Sequence, residues 1–409
     1  MVPNGWKEIK LKDIGLCITG LTYSPKNVVE NGLLVLRSSN VQGSKLAFED
    51  NVYVNLEIAE KAKTKYGDIL LCVRNGSRRL IGKSALINKT SEGYAHGAFM
   101  GLFRSKDTPE YTFQMFQSSR FFKQVNQNIG ATINSINSGN LYHFKFPYPP
   151  ITERNRIAKI LGTWDKAIST TERLIDNSKQ QKKALMQQLL TGKKRLLDDS
   201  GKPFEAKWEE AKLSDIGKVS IGLVTTMTKH YVKDGVPLIR NSDIKPNIIK
   251  KAKMLRLCED FSNSYDSRKL KKGDVVTVHT GEVGVSAVID DELDGCMGFA
   301  TLNTRPNINK VNPEYLSWYF NSELFIYWCI SMSTGDGRQN LNLKDFVKAK
   351  IHLPCLLEQE KIVAVLVNAD NEILILEQQL ADLKQEKKAL MQQLLTGKRR
   401  VTIDEAEVA

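Results

Sequence analysis

The sequence has no Cys-x-x-Cys pair. Its six cysteines (Cys17, Cys72, Cys258, Cys296, Cys329 and Cys355) are scattered, and we read them as reduced core thiols of a cytoplasmic protein. The five histidines are scattered too, so no zinc or other metal site is expected. No run approaches the ~18 apolar residues that a membrane span requires. The opening "MVPNGWKEIK" has no apolar core of the kind a signal peptide carries. HExxH, GxSxG and a GxGxxG after a strand are all missing, as is the Asn-Pro-Pro-aromatic signature of adenine methyltransferases. The nearest approach to a phosphate-binding loop is "GSRRLIGKS" (76–84). There five residues rather than four separate Gly76 from Gly82, and the chain runs on into "ALI", a strand pattern. Paired carboxylates occur only in turn clusters such as Asp290, Asp291 and Glu292. We therefore expect no catalytic residue and no cofactor.

Positive charge is present in excess. The 409 residues carry a formal charge of +13, with 41% hydrophobic residues. That is enough apolar material for real cores, and the charge favours a polyanionic partner. The excess is uneven: +8 over residues 1–150, +5 over 151–199, +3 over 200–350 and −3 over 351–409.

The strongest signal is a repeat. "KKALMQQLLTGK" stands at 182–193 and again, unchanged, at 387–398, 205 positions on. "WKEIKLKDIG" (6–15) matches "WEEAKLSDIG" (208–217) at seven of ten positions. "LLVLRSSNV" (33–41) resembles "VPLIRNSDI" (236–244), "YGDILLCV" (66–73) resembles "KGDVVTVH" (272–279), and Pro149 stands opposite Pro354. Such a period is too long for a solenoid and indicates two tandem domain-sized units. Short β-branched runs punctuated by Gly, Asn and Ser, with helical stretches at 110–127 and 313–330, predict an α/β (α+β) globular part in each.

A long helix follows each globular part. In the first, Ile157, Leu161, Trp164, Ile168, Thr171, Ile175, Ser178, Lys182, Leu185 and Leu189 are spaced alternately by four and three. In the second, Ile362, Leu366, Ala369, Ile373, Leu376, Leu380, Leu383, Lys387, Leu390 and Leu394 follow the same rhythm. This is the pattern of a coiled coil. Proline precedes each helix and Thr-Gly closes it. At ~1.5 Å per residue, 153–190 would span roughly 57 Å. Two such helices in one chain can pair with each other, and an antiparallel pair would relate the halves by a pseudo-twofold axis. The expected organisation is a globular domain over 1–150, a helix over 151–198, a second domain over 199–354, a second helix over 355–400 and a tail over 401–409.

Basic groups set among Ser, Asn, Gln and Tyr suit phosphate positioning and base-edge reading. The candidate loops of the first half are 22–27 (Tyr23, Lys26), 37–40 (Arg37, Asn40), 73–79 (Arg74, Asn75, Arg78, Arg79) and 131–135. Those of the second are 225–231 (Lys229, His230), 240–243 (Arg240, Asn241), 279–283 (His279) and 335–340 (Arg338, Gln339). The basic helix ends, Lys193-Lys194-Arg195 and Lys398-Arg399-Arg400, suit the helix dipole or a phosphate or protein contact.

Taken together, the W-x-E-x-K-L-x-D-I-G opening, the Gly-Asp strand, the Pro-x-x-x-E start of each long helix and the ending "KKALMQQLLTGK", each present twice, resemble the specificity subunit of type I restriction-modification systems over about residues 1–400. The resemblance implies two target recognition domains, each reading one half of a bipartite asymmetric site in double-stranded DNA. It also implies an antiparallel coiled coil that sets their spacing, two copies of a methyltransferase subunit, and restriction subunits for cleavage. Adenine methylation and S-adenosylmethionine would belong to the methyltransferase partner, and this chain would be non-catalytic and cytoplasmic. Identity of the two helix ends suggests one patch met by two copies of one partner, through Gln187, Gln188, Gln392 and Gln393, although recent recombination would also make them identical. The alternative reading is a coiled-coil scaffold that does not bind DNA.

Overall fold

The computed structural model describes residues 2–130, 134–335 and 337–402. The chain divides into two units that do not follow the halves of the sequence. Unit 1 joins Met1–Glu172 to Gln378–Ala409, and unit 2 is Arg173–Glu377.

In unit 1 a four-stranded antiparallel sheet has the order Gly15–Thr19, Met100–Ser105, Ile69–Cys72, Ser84–Leu86. Both of its faces are covered. Ile69, Leu71 and Phe103 face one core, with Phe116, Phe121, Ile157 and Leu161. Leu70, Cys72 and Leu102 face a second core, with Leu34, Leu36 and Ile87. A strand buried on both sides needs apolar residues at every position, which is why "ILLC" does not alternate. A second, mixed sheet sets Leu33–Leu36 between Ala95–His96, parallel to it, and Tyr53–Val54, antiparallel. Unit 2 repeats the plan with Gly217–Ile221, Thr301–Pro306, Val275–Val278 and Ser286–Val288 in one sheet, and with Val236–Arg240 pairing parallel to Met297–Phe299 in the other.

The Gly-Asp motif has a structural role in both units. Asp68 accepts from Arg104 Nε and Nη2 (2.7 and 2.6 Å) and from the Lys65 backbone N–H (2.8 Å). Asp274 does the same with Arg305 (2.8 and 2.7 Å) and Lys271 (2.9 Å). The stretches expected as single helices over 110–127 and 313–330 are each two: Pro109–Phe116 with Ser119–Asn128, and Pro313–Phe320 with Glu323–Met332. Ser118 and Ser322 break them, each capping the next helix by accepting from a backbone N–H three residues on.

Helix α1 is Ile151–Leu189 and helix α2 is Leu356–Leu394, 39 residues each. Residues 190–198 are turn and bridge rather than helix. Both helices pass from one unit into the other, and inside each unit their segments run antiparallel. In unit 1 Lys387 pairs with Asp165 (2.5 Å), and Glu172 lies between Lys384 (3.0 Å) and Lys45 (2.8 Å). In unit 2 Lys182 pairs with Asp370, and Lys179 with Glu377 (2.7 Å). Lys182 and Lys387, the lysines that interrupt the apolar seam, thus meet carboxylates at matching positions of the opposite helix. Gly192 and Gly397 end the helical turns at φ +70° and +68°. In this left-handed conformation their N–H groups bond the Leu189 and Leu394 carbonyls.

Beyond those glycines lies a buried ion pair in each unit. Arg195 donates from Nε and Nη2 to the Glu358 carboxylate (2.7 and 2.8 Å), to which Trp208 Nε1 also donates (3.3 Å). In unit 1 Arg400 donates to Glu153, and Trp6 Nε1 joins it at 3.3 Å. The glutamates are buried, with side-chain exposures of 0% and 4%. Each clamp ties a helix start, the opposite helix's end and the domain's first segment to one carboxylate. Arg195→Ala would strand the Glu358 charge and lower the stability of unit 2 by about 3 kcal/mol. In urea titrations followed by probes in each unit, only the unit 2 transition should move; Arg400→Ala should do the same to unit 1.

His96 is buried, with Nε2 3.1 Å from the Ile18 carbonyl oxygen, and burial pushes its pKa below the ordinary imidazole value. The unfolded imidazole takes up a proton below about pH 6.5, whereas the folded site resists it. The stability this provides is complete above that pH and falls as the solution is acidified. Between pH 7.5 and 5.5 the urea midpoint of unit 1 should drop, and His96→Gln should flatten that slope.

Candidate nucleic-acid interface

In unit 1 three loops are stitched together. The Asn75 side-chain amide donates to Ser38 Oγ (3.1 Å), and the Asn75 N–H donates to the Asn134 carbonyl (3.2 Å). Asn134 returns a bond from its side chain to the Gly76 carbonyl (2.9 Å), and Arg74 bridges Ser135. The turn at 97–99 joins through Phe99, whose carbonyl accepts from the N–H groups of Val73 and Arg74 (both 3.0 Å). Arg74 is exposed, with its guanidinium carbon 5.7 Å from the centre of the exposed Phe99 ring.

Unit 2 brings the matching loops together with different side chains. Asn241 accepts from the His279 N–H (2.9 Å) and donates to the Ala300 carbonyl (3.1 Å). Thr280 Oγ1 lies 2.8 Å from His279 Nδ1 and donates to Asn340 Oδ1 (3.0 Å), and the Gly281 N–H meets the Gln339 carbonyl (3.0 Å). Arg338 is exposed on the same loop. Burial lowers the His279 pKa, favouring the neutral ring. Each cluster therefore mixes side chains that can donate and accept, backed by backbone held in place, which is what base-edge reading requires.

The other candidate residues have different positions. Asn40 is fully buried. Its carbonyl oxygen accepts from the Arg37 N–H (2.8 Å), and its amide donates to the carbonyls of Ala47 (2.9 Å) and Asp50 (3.2 Å). Arg37 pairs with Asp50 (2.7 Å), and Arg240 donates twice to Asp243 (both 2.9 Å). Tyr23 packs against Val35 and Val54, and Lys26 is exposed on the neighbouring turn. Arg78 donates to the Asn126 carbonyl (3.0 Å), while Arg79 and Lys229 are exposed. His230 stacks on Phe261 with ring centres 4.1 Å apart. Residues 131–133 of the candidate 131–135 loop, and residue 336 of the 335–340 loop, lie outside the described residues.

The twice-written helix end lines a cleft in each unit. The cleft of unit 1 measures about 1050 Å³ and includes Lys388, Met391 and Gln392; that of unit 2 measures about 660 Å³ and includes the matching Lys183, Met186 and Gln187. Gln187, Gln188, Gln392 and Gln393 are all exposed, and Gln187 donates to Glu323 (2.8 Å). The opposing walls differ. Lys45 and Arg120 in unit 1 stand where unit 2 has Ile248 and Leu324.

The sequence reading did not single out Ser38, Phe99, Thr280 or Asn340 as site residues. All four are ordinary loop residues whose importance lies in contacts across 25 to 60 positions of chain. Asn40→Ala would take the side-chain partner from the Ala47 carbonyl and the Arg37 N–H and lower the stability of unit 1 by ~2 kcal/mol. Arg74→Ala should leave the urea midpoint unchanged, which separates a buried residue that holds backbone from one that faces outward.

Residues 3–178 and 205–385 match the family described as type I restriction modification DNA specificity domain. The chain is 26% identical to the type I restriction enzyme MjaVIII specificity subunit of Methanocaldococcus jannaschii, over 98% of this chain and 94% of that protein. It is 24% identical to the EcoKI specificity subunit of Escherichia coli K12, over 88% of this chain and 81% of that protein. Among solved structures, a chain from a study of complex assembly in a type I R-M system superposes with a TM-score of 0.61 at 17% identity, covering 98% of this chain and all of that one. The type I restriction-modification S subunit from M. genitalium gives a TM-score of 0.57 at 14% identity, covering 98% and 99%. These structures share the fold.

Proposed function

The chain belongs to the type I restriction modification DNA specificity family, and from that premise we propose that each unit's loop cluster reads one half of a bipartite, asymmetric site in double-stranded DNA. The observation that carries this reading is the pair of matched loop clusters. One scaffold positions Ser38, Arg74 and Asn75 in unit 1 and Asn241, His279 and Thr280 in unit 2. The same frame with different hydrogen-bonding groups suits two different half-sites. The paired helices set the spacing, which turns two weak readings into one strong one. Two copies of a methyltransferase subunit dock on the twin clefts beside Gln187, Gln188, Gln392 and Gln393, and a restriction subunit joins for cleavage. S-adenosylmethionine and adenine methylation belong to the methyltransferase, so this chain contributes recognition and assembly in the cytoplasm without catalysis.

Methylome sequencing of cells carrying the intact operon should reveal a two-part modified motif that disappears when this gene is deleted. No such motif would refute the reading. Exchanging residues 1–150 for those of another family member should change one half of the motif and leave the other. Replacing the four glutamines by alanine should weaken assembly with the methyltransferase, measured by sedimentation, while the urea midpoints stay put. In fluorescence-anisotropy titrations of the assembled complex, log Kd for DNA should rise steeply with log salt, and Arg74→Ala should reduce that slope by about one.

A further inference from the structure

The two recognition loops are not built alike at one point. In unit 1 the Ala98 N–H bonds the Leu21 carbonyl (2.9 Å), and Leu21 bridges Gly97. In unit 2 the Ala300 N–H bonds the Leu223 carbonyl (2.8 Å), and Leu223 bridges Phe299. The strands that follow begin at Met100, opposite Cys72, and at Thr301, opposite Val278. One residue therefore lies between Ala98 and the strand in unit 1, and none lies between Ala300 and the strand in unit 2. The additional residue is Phe99.

Phe99 is an apolar side chain held out of the core by a rigid frame. It is 57% exposed, whereas the next residue, Met100, is 1% exposed. Its carbonyl is fixed by the two N–H groups of Val73 and Arg74, and the Met100 N–H closes the turn on the Gly97 carbonyl (2.8 Å). The turn also presses on its neighbour. A Cβ at Gly20 would lie 2.1 Å from the Gly97 carbonyl oxygen, so only glycine permits this approach. Beside the ring stands Arg74, whose guanidinium carbon is 5.7 Å from its centre, and the next residue along, Asn75, bonds Ser38. A fixed aromatic face with a cation beside it, among groups suited to phosphates and base edges, matches the stacking platforms of nucleic-acid-binding proteins and the apolar wedges that unstack base steps.

We propose that Phe99 is a specificity-determining contact of the first half-site: its ring stacks on a nucleobase at a step that the assembled complex unstacks, with Arg74 on the adjacent phosphate. This rests on the DNA-reading function proposed above. The turn of the second domain carries its aromatic at a different position: Phe299, 36% exposed, stands at the place of Gly97, two positions before that of Phe99, so the contact proposed here is specific to unit 1.

The test uses the complex of the full chain with its methyltransferase partner and DNA carrying the site found by methylome sequencing. Three duplexes are compared: the intact site, and sites with either half scrambled. Phe99→Ala should weaken binding to the intact site about 10- to 100-fold. It should leave unchanged the affinity for DNA whose unit 1 half-site is scrambled. Phe99→Trp should retain binding, whereas Phe99→Leu, which keeps apolar bulk without a π face, should not. With 2-aminopurine placed at successive positions, the wild-type complex should brighten one step in the unit 1 half-site, and Phe99→Ala should abolish that signal. Wild-type affinity in Phe99→Ala, full binding by Phe99→Leu, or a 2-aminopurine signal that survives Phe99→Ala would overturn the proposal. If the wild-type complex itself fails to distinguish intact from scrambled sites, the DNA-reading function fails, and this proposal with it.

Discussion

Each unit hangs on one buried carboxylate. Glu153 and Glu358 stand in the first turn of the two long helices, where an anion suits the helix dipole, but burial would make either costly without a partner. The arginine just past the end of the opposite helix supplies that partner, and the tryptophan that opens the globular part adds a third donor. Three segments far apart in the chain must therefore arrive at one point before the charge is satisfied. Once they have, the helix start, the opposing helix end and the first strand are fixed, and the sheets that carry the reading loops are built on that frame.

The repeat divides the residues into two kinds. Those kept between the halves belong to the frame: Trp6 and Trp208, Asp68 and Asp274, Asp165 and Asp370, Lys182 and Lys387, Gly192 and Gly397. The structure gives each pair the same contact in both units. Those that changed include the residues at the loop ends and on the walls of the clefts. Asn75 bonds Ser38 in one unit, while Asn241 receives His279 in the other, and the exposed aromatic of the neighbouring turn is Phe99 in one and Phe299, two positions earlier, in the other. Conserving the support while varying the surface allows one architecture to hold two different reading heads.

Much of the frame was legible in the sequence because it obeys local periodicity. The alternating spacing of four and three gave both long helices, and the Thr-Gly ends marked where they stop. The candidate site was legible only to the level of loops. Polar loop residues look alike in sequence whether they face outward or inward: Arg74 is exposed, Asn40 is wholly buried holding three segments of backbone, and Arg240 is engaged by its neighbour Asp243. Which fate applies depends on contacts made across the fold, and no spacing rule encodes those. The same holds for the basic helix ends. Arg195 and Arg400 suit the helix dipole, as the sequence suggests, but their main work is to neutralise a glutamate on the other long helix.

The partition of the chain also bears on its synthesis. Everything in unit 2 lies before residue 378, whereas unit 1 needs residues near both ends of the chain, with Arg400 reaching Trp6 and Glu153. The domain that leaves the ribosome first is thus the last to be completed. Until translation reaches the final turn of the second helix, the stripe of Ile157 and Leu161 lacks Met391 and Leu394 to cover it, and the nascent first domain presents that apolar surface to whatever else is in reach. A premature stop codon between positions 378 and 400 would for the same reason injure the first reading head rather than the second.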